Sequence, residues 1–160
     1  MELYHGTNLI IKEPKLVEQN RFLDFGFGFY TTTNLEQAKS FAKKVVKREG
    51  KGIPVVNVYE LNENIFKNIK IKKFEKPNED WLDFVAKNRN GDYHGEHYDL
   101  IIVPVANDDV YRTLQLYLSN ILSKEQTLEI LKIKELYNQY VFATDLALKQ
   151  LKYIESIEVK

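Results

Sequence analysis

The chain has 160 residues, enough for one domain whose core folds without disulfide or metal staples. Its 23 basic residues balance 23 acidic ones, so no net field draws it to nucleic acid or membrane, and the lack of cysteine excludes disulfides, thiol nucleophiles and thiolate metal sites. No apolar run reaches membrane-spanning length, and Met1 leads almost directly into a strand, which leaves no room for a signal peptide; a cytoplasmic location is expected.

In chain order, Leu3-Tyr4-His5-Gly6-Thr7 reads as an opening strand. Residues 25–30, Phe-Gly-Phe-Gly-Phe-Tyr, alternate rings with glycines, which predicts a strand with Phe25, Phe27 and Phe29 on one face and Gly26, Gly28 and Tyr30 on the other. The glycine face is a bare shelf beside a phenol, kept clear either for a flat ligand or for a crossing backbone. Asn34 and Gln37 form a capping-box pattern ahead of the apolar positions Leu35, Ala38, Phe41, Ala42 and Val45, so a helix begins at Asn34. Lys43, Lys44, Lys47, Arg48 and Lys51 cluster at its end, where cations complement the helix dipole, and are read as a solvated helix end in preference to a nucleic-acid patch.

Residues 53–60 and 65–71 read as strands, 79–88 as an amphipathic helix with Trp81, Phe84 and Val85 in the core, and 100–105 as a buried strand. Between these lie Asp92, His94, Glu96, His97 and Asp99, read around Gly91 and Gly95 as a solvated loop in preference to a metal site. Helices follow over 111–121, capped by Asn107 or Asp108, and over 124–134, opened by the capping box of Ser123 and Gln126. A strand at 138–143, a short helix at 146–151 and a strand at 153–159 close the chain. Isolated strands among irregular helices predict an α+β fold, in one domain over residues 1–160.

His5-Gly6-Thr7 on a first strand, Gly26-x-Gly28-x-Tyr30 on a second and Asn138-Gln139-Tyr140-Val141-Phe142 on a late one stand in a known order. The set resembles the ADP-ribosyltransferase superfamily, in its diphtheria-toxin and poly(ADP-ribose) polymerase branch with the His-Tyr-Glu triad. The resemblance extends to a second stacking aromatic eleven residues beyond the motif tyrosine, here Phe41. It implies a fold of two small packed β-sheets with flanking helices. The blocks Trp81-Leu82-Asp83-Phe84 and Val105-Ala106-Asn107-Asp108-Asp109-Val110-Tyr111 further suggest a small bacterial family of undescribed domains.

The resemblance implies NAD as substrate and His5, Tyr30 and Gln139 as the catalytic set, with Gly6, Thr7, Gly28 and Phe41 at the cofactor and no metal. In the family pattern the Gly6 backbone pairs with the nicotinamide amide, His5 hydrogen-bonds a ribose hydroxyl, and Tyr30 and Phe41 sandwich the ring. Gln139 stands where the family usually has Glu, keeping the hydrogen bond and losing the charge. Three outcomes are open: mono-ADP-ribosyl transfer to a protein or nucleic-acid acceptor, a substitute carboxylate at Glu135 or Asp145, or an NAD- or ADP-ribose-binding module without turnover; hydrolysis of NAD is a further alternative. By analogy the chain would be a toxin or phage-defence effector with an antitoxin or neighbouring-gene partner.

Overall fold

The computed structural model describes residues 1–17, 25–106, 108–132 and 136–160. Seven strands form one mixed sheet: β1 (Glu2–Thr7), β2 (Phe29–Thr32), β3 (Val55–Leu61), β4 (Ile71–Lys73), β5 (Leu100–Ala106), β6 (Leu136–Phe142) and β7 (Leu151–Glu158), in the spatial order β4-β5-β6-β2-β1-β3-β7. Five helices accompany them among the described residues: α1 (Leu35–Glu49), α2 (Glu79–Arg89), α3 (Asp108–Leu118), α4 (Lys124–Lys132) and α5 (Asp145–Leu148). The α+β class is as expected. The two small packed sheets expected are not found: the strands form one sheet, because β2 pairs with β6 along its whole length and also with β1.

Local signals set most helix starts. Asn34 accepts from Gln37 N at 2.8 Å, and the other arm of the expected box closes through Thr32, whose hydroxyl accepts from Asn34 N and donates to Gln37 Oε1 at 2.7 Å. Asn78 caps α2 by accepting from Trp81 N, and Ser123 and Gln126 satisfy each other's backbone amides ahead of α4. Two expectations fail. Residues 65–71 are not one strand: Asn62 accepts from Asn64 N and starts a 3₁₀ turn over Glu63–Asn68, leaving only Ile71–Lys73 to the sheet. The strand expected over 25–30 is a turn up to Gly28, with Gly26 at φ +85°, so the alternating glycines make no shelf. The Asn107 cap, Ile133, Lys134 and Glu135 lie outside the described residues.

Strand alternation divides the sheet into two faces with different cores. One face is continuous: Leu3, Phe29, Tyr59, Leu100, Ile102, Tyr140 and Phe142 pack with Ala147 and Leu148 of α5. The opposite face is split. On β5 and β6, Ile101, Val103 and Val141 pack under Trp81, Leu82 and Val85 of α2, Val110 and Leu114 of α3, and Leu131 of α4. On β1 and β3, Val56 and Val58 pack under Ala38 and Ala42 of α1. The strip over β2 separates them.

Gly6 fixes how closely α1 approaches β1: an added Cβ would overlap the Ala38 carbonyl and meet Ala42 N at 2.9 Å, both backbone atoms. We predict that Gly6→Ala destabilises the chain by about 3 kcal/mol or more through overpacking against an immovable backbone. Gly50→Ala at the α1 C-cap, with φ +68° and open space around it, should cost only about 1–2 kcal/mol from the left-handed conformation. Urea unfolding of the two variants checks the difference, and equal losses would contradict the close-approach account.

Candidate functional site

The ladder between β1 and β2 holds one registered pair, Tyr4 opposite Thr32. Two residues on, where Gly6 would face Tyr30, the Tyr30 carbonyl accepts from His5 Nδ1 at 2.6 Å. A side chain thus replaces the backbone and the two strands part. Since a carbonyl can only accept, the bond fixes the tautomer: Nδ1 carries the proton and Nε2 keeps its lone pair. The imidazole is partly buried and stacks on Phe29 with ring centroids 4.2 Å apart. Burial pushes its pKa below the ordinary 6.5, outweighing the opposing effect of the Tyr30 carbonyl, and keeps it neutral.

Leu61 N donates to Met1 O, which sets the phase of the β1–β3 ladder. Odd residues of β1 bond β3, so Gly6 turns its amide group toward β2, into the gap that His5 opens.

Tyr30, Thr32 and Gln139 share the split face, because Thr32 is registered with Gln139 and Tyr30 with Val141. The expected catalytic residues therefore meet around one short strand: Tyr30 and Gln139 on one face of the sheet, His5 on the other, linked through the Tyr30 carbonyl. The Gln139 side chain has a buried amide oxygen, Oε1, with no hydrogen-bond partner among the described residues. Trp81 Nε1 is in the same condition, within the core under α2. An orphaned acceptor costs about 1–3 kcal/mol, which a ligand donor would relieve.

The Tyr30 hydroxyl is committed: it donates to Gly26 O at 2.6 Å and accepts from Phe25 N at 3.1 Å, holding the turn ahead of β2. Its ring carries the candidate chemistry. Gly28 is bare because a Cβ there would meet Val141 Cγ1 at 2.7 Å and Phe142 O at 2.9 Å, so the crossing backbone, and not a ligand, accounts for it. Thr7 ends β1 with its hydroxyl turned to Asn8 at 3.4 Å.

Phe41 leaves the apolar stripe expected of it: Ala38, Ala42 and Val45 are buried while Phe41 is 46% exposed. It lies one turn beyond Gln37 on the same flank of α1, and the Gln37–Thr32 bond shows that this flank faces β2. On that flank Phe41 is the next side chain after Gln37 as α1 runs on from its tie to Thr32.

Sequence reasoning missed three residues of this region. Thr32 and Gln37 tie α1 to the strip, a long-range bond with no local pattern. Fully buried Asn57, registered with His5, donates to Leu9 O at 2.9 Å and accepts from Ile11 N and the Ser156 hydroxyl, so the segment after Thr7 is pinned across β3. A lone Asn inside an apolar strand was its available signal. Of the expected loop residues, Asp99 accepts from Thr144 and Lys70 N, Glu96 pairs with Lys70 at 3.1 Å, and no group of three or more His, Asp or Glu among the described residues could hold a metal ion.

Because folding lowers the His5 pKa, the unfolded chain takes up that proton first; the stability this group contributes is present above about pH 6.5 and is lost as pH falls through the depressed folded value. Ring-proton NMR should give His5 a midpoint below 6.5 with Nδ1 protonated in the neutral form. A midpoint at or above that value would contradict the enclosed, carbonyl-bound imidazole.

Neither a search of curated proteins nor one of solved structures returned a match. A family model described as a protein of unknown function (DUF3990) matches residues 1–153. With nearly the whole length covered, the chain belongs to the DUF3990 family.

Proposed function

We propose that the strip over β2 is an NAD site and that the chain is a mono-ADP-ribosyltransferase. The observation that carries this reading is the orphaned Gln139 Oε1, on the same face as Tyr30 and two residues along β6 from its partner Val141, with Phe41 exposed on the helix that Gln37 ties to β2. A cationic nicotinamide ring between Tyr30 and Phe41 gains on the order of 1 kcal/mol per face from stacking and cation-π attraction. The Gly6 amide group, turned toward β2, suits the nicotinamide carboxamide, and neutral His5, on the opposite face, serves the site by holding the Tyr30 carbonyl.

Transfer breaks the bond between the ribose C1′ and the nicotinamide nitrogen. Both electrons leave with nicotinamide, whose ring charge they neutralise. An acceptor lone pair forms the new bond at C1′, and the acceptor's proton passes to solvent. Between these events positive charge grows on the ribose, and Gln139 Oε1 accepts from the 2′-hydroxyl and orients it. A carboxylate there would stabilise that charge by roughly 2–4 kcal/mol more, by comparison with the loss of one preorganised contact. The neutral amide therefore favours a single transfer to a good nucleophile, and it is also what a binding module without turnover would carry. Gln139 pairs within β6, whereas Asp145 starts α5 under the opposite, continuous core.

Gln139→Ala should weaken NAD binding by about 1–3 kcal/mol, the relief of the orphaned oxygen, and should also lower nicotinamide release from the saturated protein, because the 2′-hydroxyl contact strengthens as charge develops on the ribose. Gln139→Glu should retain or raise that release. Release of nicotinamide from NAD, followed by chromatography, with calorimetry for affinity, tests both; turnover in Gln139→Ala equal to the parent would remove β6 from the mechanism. Because its hydroxyl holds the Phe25–Gly26 turn, Tyr30→Phe separates the two roles. It should lose about 0.5–1.5 kcal/mol of stability per hydrogen bond and keep NAD binding, whereas Tyr30→Ala should lose both.

A further inference from the structure

A second feature lies away from the β2 strip, at the open β4 edge of the sheet. Between β4, α2 and the loop before β5 is a depression of about 230 Å³ lined by Phe74, Phe84, Tyr93 and Tyr98 together with Lys72 and Lys87. Asp80 and Asp83 complete its rim. Four of the neighbouring carboxylates are in ion pairs: Asp83 and Glu79 share Lys124 at 2.8 and 3.2 Å, Glu96 pairs with Lys70 at 3.1 Å and Glu75 with Lys73 at 3.6 Å. Lys72 and Lys87 have no carboxylate partner within ion-pair distance among the described residues, and Lys72 stands over the Phe74 ring at 5.0 Å. In the lining Lys72 and Lys87 balance Asp80 and Asp83, so the depression is neutral overall, and its two ammonium groups outside ion pairs are what a phosphate would meet.

The approach to the depression is ring-rich. Tyr93, His94, His97 and Tyr98 fall within six residues, Tyr93 is braced by donating to Glu96 O at 2.6 Å, and Lys70 stands over Tyr98 at 5.4 Å. Rings that are held in place, with unpaired cations beside them and room for one planar ring system, fit a stacked base with its phosphate.

We propose that this edge binds single-stranded nucleic acid, a base stacking on the Tyr93 and Tyr98 side of the depression and Lys72 and Lys87 contacting the backbone phosphates. The site is separate from the β2 strip and needs no NAD, so it stands or falls independently of the transferase reading. If both hold, nucleic acid is the acceptor class.

The test is fluorescence anisotropy of labelled mixed-sequence DNA and RNA strands of about twelve nucleotides, without NAD, at about 50 and 200 mM salt. Saturable binding that weakens with salt is expected. The double variant Lys72→Glu/Lys87→Glu and, separately, Tyr98→Ala should each weaken it about tenfold or more. Lys43→Glu/Lys47→Glu makes the same charge change on exposed α1 positions and should leave affinity within about threefold. Circular dichroism melting confirms that each variant is folded; should Tyr98→Ala unfold, the lysine pair and its α1 control decide alone. Absence of saturable binding to either strand at the lower salt, an equal loss in the α1 control, or equally tight binding of a polyglutamate chain would overturn the proposal.

Discussion

One hydrogen bond, from His5 Nδ1 to the Tyr30 carbonyl, shapes the centre of this molecule. An imidazole takes the place that a backbone amide would fill, so the ladder of two antiparallel strands stops after a single registered pair. Backbone groups in a sheet are normally paired, and a break in the middle of a sheet is a cost that other contacts must offset. Here the Phe29 stack, the Tyr30 bonds to the preceding turn and the six-residue register of β1 with β3 supply them. The break leaves the Gly6 amide group turned toward β2 beyond the last registered pair, and the cores on either side of β2 remain separate on that face.

The helices were legible because capping is local. Asn34 and Ser123 each announce a helix within four residues, and the geometry follows the pattern, whereas α2 is legible from its apolar spacing and its Asn78 cap comes only with the structure. Phe41 was half legible. Its spacing from Tyr30 was readable, but the helical period placed it with Ala38 and Ala42 on the buried stripe. Close approach to Gly6 narrows that stripe to small residues and leaves the larger ring on the flank. The ring-glycine alternation at 25–30 misled for a different reason: a period of two is also produced by a turn whose glycines serve a positive φ at one position and a close crossing at the next.

What the sequence could not disclose was pairing across distance. Nothing local shows that Thr32 lies opposite Gln139, or that Asn57 pins residues 9–11 beside His5. These contacts join segments 46 to 107 positions apart, and they decide which motif residues meet. The motifs gave the parts of the site, and the sheet order gives their arrangement.

The central claim, that a nicotinamide ring enters between Tyr30 and Phe41, is open to a direct optical measurement. Phe41→Trp places a fluorophore on that flank of α1, while the native Trp81 is buried and serves as a constant background. Ile121→Trp places the same fluorophore at a distant position that is 68% exposed. Stacking predicts saturable quenching of Phe41→Trp by NAD and by nicotinamide mononucleotide, with Ile121→Trp showing only weak collisional loss. Equal, unsaturable quenching of both proteins would contradict the account.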